Sequence, residues 1–198
     1  MTDTKFIYWF CADGDCHTKC YWPKLSNLGK VVCVPPPEMI DEIRPWEKVI
    51  DTLEELIKKT EGDMWESLYN TKNRVFIGHS GGLRGCLLAS AKDDGPWCGA
   101  VVGWCGWSNP EEIFTEKYSL ETLISNVWWE EMKGHQILLF VEPRKRKEQV
   151  EGCTYDDAAL LRDHVGKNKI LIMENTDIKH DSGINKYVEF IDNFLHKD

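Results

Sequence analysis

Six short, continuously apolar runs recur along the chain: KFIYWF (5–10), KVVCV (30–34), RVFIG (74–78), GAVVGW (99–104), QILLFV (136–141) and KILIM (169–173). Runs of this length without polar alternation belong to strands covered on both faces. Helical patterns lie between them. PWEKVIDTLEELIKKTEG (45–62) puts Val49, Ile50, Leu53, Leu56 and Ile57 on one face, with Pro45 at its start and Gly62 as its stop. GLRGCLLASA follows the third run directly. TYDDAALLRDHVG has Thr154 as N-cap and Gly166 as stop, and INKYVEFIDNFLHK carries Ile184, Tyr187, Val188, Ile191 and Phe194 in helical register. The alternation predicts an α/β fold: one domain over 1–198, with a mainly parallel sheet of about six strands, helices on both faces and right-handed crossovers. Function is then expected in the loops leaving the carboxyl ends of the strands. The one long departure, 108–135, exceeds what a crossover requires. Two readings stand for it, a lid or cap helix pair with Trp128 and Trp129 facing inward, or a segment whose tryptophans complete the core.

The formal net charge of −9 argues against a nucleic-acid or anionic-membrane surface, both of which need a cationic face. The single basic run, Pro143 to Lys147, is followed by Glu148 and Glu151 and reads as a solvated loop. No apolar run reaches the roughly 18 residues of a membrane span, and the start MTDTKFIYWFCADG lacks a signal peptide's basic region and cleavage site. A soluble, cytoplasmic protein is expected. The eight cysteines accordingly read as reduced thiols, several of them inside strand-like runs. Oligomeric state is not legible.

The most informative stretch is RVFIGHSGGLRGCLLAS. Gly78-His79-Ser80-Gly81-Gly82 is a G-x-S-x-G set between a strand and a helix, the context in which a serine sits on a sharp turn with its hydroxyl lifted above the sheet. Flanking glycines are needed there because a Cβ would collide with the neighbouring strand or helix. The following helix points its N-terminal amides at the same spot. The competing reading is a glycine-rich turn that cradles phosphate.

A serine hydroxyl is a weak nucleophile and needs a positioned base. Six histidines compete for that role. His17 lies early in the N-terminal loop, His79 points away from Ser80 on so tight a turn, His135 precedes a strand, and His164 and His196 fall in or at the end of helices. His180, in the loop beyond the last strand, is the expected base. An acid should leave QILLFV before the helix at Thr154, where it can hold the imidazole. Glu142, Glu148 and Glu151 qualify. Glu151, three residues before the N-cap, is the first choice and Glu142, at the strand end, the second.

The order strand-GHSGG-helix, strand, insertion, strand, helix, strand, His loop, helix resembles the α/β-hydrolase superfamily over nearly the whole chain, in a compact form similar to small carboxylesterases and type II-like thioesterases. The serine, acid, histidine order also matches. Two features depart from the pattern: VVCVPPPE (31–38) lacks the usual Asp after its strand, and the acid loop lacks Gly-x-x-Asp. The resemblance implies that the loop after the first strand, here CADGDC, supplies one backbone amide of an oxyanion hole, from Ala12 or Asp13, and that Gly81 supplies the other. A rival for this loop is zinc on Cys11, Cys16, Cys20 and His17, but no second ligand pair lies elsewhere to complete a familiar site. No metal and no cofactor are expected. Trp104 and Trp107, beyond the fourth run, are candidates for an apolar pocket. The expected activity is hydrolysis of a small-molecule carboxylic ester or thioester. The alternative is a catalytically silent protein of the same fold that binds a small ligand or a protein partner.

Overall fold

In the computed structural model, residues 5–11, 24–39, 45–93, 98–125, 129, 133–143, 154–180 and 184–196 are described. Their six strands are β1 (Lys5–Phe10), β2 (Gly29–Val34), β3 (Arg74–His79), β4 (Ala100–Trp104), β5 (Ile137–Val141) and β6 (Ile170–Glu174), each within a residue of its apolar run at either end. They form one sheet in the order β2-β1-β3-β4-β5-β6, every pair parallel.

Among the described residues the helices are α1 (Trp46–Glu61), α2 (Leu68–Asn73), α3 (Gly82–Ser90), α4 (Pro110–Ile113), α5 (Leu120–Ile124), α6 (Tyr155–Val165) and α7 (Val188–Leu195). Sequence chemistry explains their ends. Thr154 accepts from the Asp157 N–H and Asp157 accepts in turn from the Thr154 N–H, a reciprocal cap that starts α6. Gly166, at φ 121°, ends it. The terminal pattern 184–197 divides into a 3-10 turn, Ile184–Lys186, and α7. Tyr187 leaves helical angles between them, where its ring packs on Trp104 and Phe140. Helix α2 has no apolar periodicity; Ser67 caps it by accepting from the Asn70 N–H.

Strand alternation divides the core in two. Tyr8, Phe10, Phe76, Val101, Leu139 and Val141 face α1, α3 and α6, whereas Ile7, Trp9, Ile77, Val102, Trp104 and Phe140 face Leu25, Leu28 and α7. The chain runs outward to β2 from β1, then returns to β3 and proceeds in the opposite direction. The order therefore reverses between β1 and β3, the kind of switch point at whose carboxyl ends open α/β sheets bind ligands.

Ile113, Tyr118, Leu123 and Trp129, from the 108–135 segment, are buried in the first of these clusters. The Trp129 indole N–H donates to the Cys98 carbonyl at 3.2 Å. Trp128 lies outside the described residues.

At the amino end of β3, Arg74 is buried in a two-pronged ion pair. Its Nε donates to Glu61 Oε1 at 2.7 Å and one terminal nitrogen donates to Glu61 Oε2 and the Trp65 carbonyl, each at 2.6 Å. The Tyr8 hydroxyl donates to the same carboxylate at 2.9 Å. Burial first, and Glu61 second, push the Tyr8 phenol well above its usual range, so it remains a donor.

Candidate active site

Ser80 follows the last residue of β3 with φ at 52°, a left-handed conformation that costs an L-residue on the order of 1–3 kcal/mol. Three backbone hydrogen bonds hold it there. The Ser80 N–H donates to the Trp104 carbonyl at 3.1 Å, and the Ser80 carbonyl accepts from Leu83 at 3.2 Å and from Trp107 at 3.1 Å. Cys105, at the end of the adjacent β4, is also left-handed, with φ 45°, and its turn leads the chain to Trp107. Two neighbouring strands thus end in coupled, strained turns.

The glycines around Ser80 are demanded by close approach. A Cβ on Gly78 would lie 2.5 Å from the backbone of Leu83, and one on Gly82 would lie 2.0 Å from the Phe10 carbonyl oxygen. Helix α3 can start immediately after Ser80 only because both side chains are absent. Gly82→Ala is therefore expected to destabilise the fold by about 1–3 kcal/mol, seen as a lower thermal midpoint. A midpoint equal to that of the parent protein would contradict this packing.

The register places Phe10 beside Gly78, so the loop leaving β1 starts next to the serine turn. Ala12 and Asp13, the expected oxyanion donors of that loop, lie outside the described residues, as do Cys16, His17 and Cys20. Helix α3 has Gly81 as its N-cap and no side-chain cap, and its Leu83 amide is taken by the Ser80 carbonyl. Among the described residues no group of three His, Cys, Asp or Glu side chains is gathered as a metal ion would require. No helix among them is long and apolar enough to cross a membrane.

His180 reaches this edge of the sheet from the loop after β6. Its carbonyl lies 2.7 Å from His79 Nε2, and the two imidazole centroids are 4.6 Å apart. Its backbone N–H donates to Glu142 Oε2 at 3.1 Å. Residue 179 is held as well, the Trp104 indole N–H donating to the Lys179 carbonyl at 2.9 Å. Glu151, the first-choice acid, and Glu148 lie outside the described residues; Glu142, the second choice, meets the backbone N–H of His180. Trp104 is 3% exposed and packs on Phe140 and Tyr187. Trp107 is half-buried, donates its backbone N–H to Ser80 and its indole N–H to Glu112 at 2.7 Å. Burial pushes the thiols of Cys86 and Cys98 up, that of Cys98 to about 12, so neither competes as a nucleophile.

No protein-family model and no curated protein matches the sequence. Solved structures do. Arabidopsis thaliana SOBER1 is 14% identical, with 97% of each chain covered and a TM-score of 0.58. An S-formylglutathione hydrolase from Agrobacterium tumefaciens is 12% identical over 97% of this chain and 82% of its own, with a TM-score of 0.57. Esterase PE8 is 14% identical over 96% and 92%, with a TM-score of 0.55. The chain has the α/β-hydrolase fold.

In this compact α/β-hydrolase fold, Ser80, Glu142 and His180 leave the carboxyl ends of β3, β5 and β6 in that order. The chain brings the loop of His180 against the residue preceding Ser80, and Glu142 against that loop. Sequence reasoning missed the contact of His79 with the His180 carbonyl. A usable signal existed: His79 lies two residues after Ile77, hence on the sheet face that α7 covers, and the loop before α7 must cross that face.

Proposed function

We propose that the protein hydrolyses carboxylic esters or thioesters through an acyl-enzyme on Ser80. The observation that carries this reading is the left-handed Ser80 turn between β3 and α3, with the His180 loop docked on its neighbour His79. The neighbours of this fold named above include an esterase and a hydrolase, which supports the same reading.

Ser80 Oγ attacks the acyl carbon while His180 takes its proton, forming a tetrahedral intermediate. The amide of Gly81, with that of Ala12 or Asp13, receives the oxyanion, each such donor contributing roughly 3 kcal/mol to the transition state. His180 gives its proton to the departing alcohol or thiol. Water then loses a proton to His180 and attacks the acyl-enzyme, releasing the carboxylic acid and restoring the Ser80 hydroxyl. Glu142 is the acid that stabilises the transient imidazolium, and Trp107 borders the acyl site.

Pre-steady-state hydrolysis of p-nitrophenyl acetate, beside an acetyl thioester, tests this. The expected result is a burst of product stoichiometric with enzyme, followed by slower turnover. A correctly folded protein that turns over neither substrate would instead match the catalytically silent alternative. Glu142→Gln separates two roles for that residue, because the amide keeps an oxygen for the His180 N–H but carries no charge. A kcat lower by about 10²- to 10⁴-fold is expected if the charge serves the imidazolium. A kcat near that of the parent would reduce Glu142 to a backbone anchor.

A further inference from the structure

Three side chains from the ends of three consecutive strands grip two residues of the loop after β6. Trp104 on β4 donates to the Lys179 carbonyl, Glu142 after β5 accepts from the His180 N–H, and His79 on β3 meets the His180 carbonyl at 2.7 Å. With both backbone polar groups of His180 engaged, its peptide planes are fixed on each side. A backbone carbonyl can only accept, so His79 Nε2 must carry a proton. The His79 ring is itself held, stacked on Trp9 at 6.2 Å and 18° between planes, and the His180 ring lies 4.6 Å from it.

We propose that His79 is a positioning residue: the Nε2–H that it donates to the His180 carbonyl, with its ring braced between Trp9 and His180, holds His180 in the orientation from which it serves Ser80. This rests on the hydrolase reading above. His79 acts through the backbone and ring of His180, which it contacts. Its location one residue before the nucleophile makes the coupling direct, since the same short segment sets the serine turn and the height of the base.

A donor-specific role differs from plain packing in what rescues it. His79→Leu removes the donor and keeps apolar bulk, whereas His79→Gln returns an amide N–H near the place of Nε2. Two rates are read for each variant, covalent labelling by a fluorophosphonate and p-nitrophenyl acetate turnover. His79→Leu is expected to slow labelling and kcat by about 10- to 100-fold, the scale of a small misplacement of a catalytic group, with KM little changed. His79→Gln is expected to recover most of that loss. Equal behaviour of the two variants, an effect confined to KM, or undiminished rates in His79→Leu would overturn the positioning role while leaving the hydrolase reading intact, provided that the parent protein is labelled on Ser80. A parent protein that is not labelled removes the hydrolase reading and this inference together. Because His79→Leu can fail to fold, nitrogen-15 NMR of the parent protein supplies an independent arm. A His79 ring protonated at Nε2 supports the assignment; a neutral ring carrying its proton on Nδ1 alone overturns it.

Discussion

Ser80→Ala is expected to lower ester turnover by on the order of 10⁴-fold or more, because the nucleophile and its base act as a unit and removing either forfeits nearly all of their joint contribution. The fold should persist. The bonds that pin the turn belong to the backbone of Ser80, to Trp104, Leu83 and Trp107, and none of them uses the hydroxyl. Steady-state p-nitrophenyl acetate hydrolysis beside a circular dichroism spectrum checks both halves. Loss of activity with an unchanged spectrum is the expected pair. Retained activity in the alanine variant would place the chemistry elsewhere.

The second large effect concerns stability at the far end of the sheet. The Arg74 and Glu61 side chains are 1% and 0% exposed, so Arg74→Met would leave a carboxylate deep in the core with the Tyr8 hydroxyl among its few remaining partners. Breaking a buried pair on one side costs about 3–5 kcal/mol, because the stranded charge cannot recover its hydration. For a chain of this size that corresponds to a thermal midpoint lower by roughly 6–20 °C. Replacing both partners, as in Arg74→Met with Glu61→Leu, should recover much of the loss, since the attraction of the pair is largely offset by the cost of drying two charges. Denaturant titration of the single and double variants measures this. A single variant as stable as the parent would show that Glu61 finds another route to solvation.

The inner strands β1, β3, β4 and β5 were legible because strands covered on both faces need unbroken apolar runs; the edge strands β2 and β6 carry similar runs although they are partly exposed. Ser80 was legible for a steric reason, its flanking Gly78 and Gly82 being positions where any Cβ would meet backbone. The place of His180 in the loop after β6 followed from the predicted order of elements. The candidate acids Glu142, Glu148 and Glu151 differ little as local sequence. The contact that Glu142 makes is tertiary: it follows Val141, which pairs with Glu174 at the end of β6, and so meets the loop that departs there. Trp104 illustrates the same limit. Its apolar surroundings fit a pocket wall or a core position equally well in sequence, and only the folded chain shows its indole N–H donating to the Lys179 carbonyl. Helix α2 went unread because its six residues carry a cap but no apolar stripe.

The most direct test of the central claim is mass spectrometry of the peptide that carries Ser80 after exposure of the native protein to a fluorophosphonate at neutral pH. One adduct, on Ser80, is expected, formed quickly in the parent protein and slowly in His180→Ala. No adduct, an adduct on another residue, or labelling indifferent to the loss of His180 would contradict it.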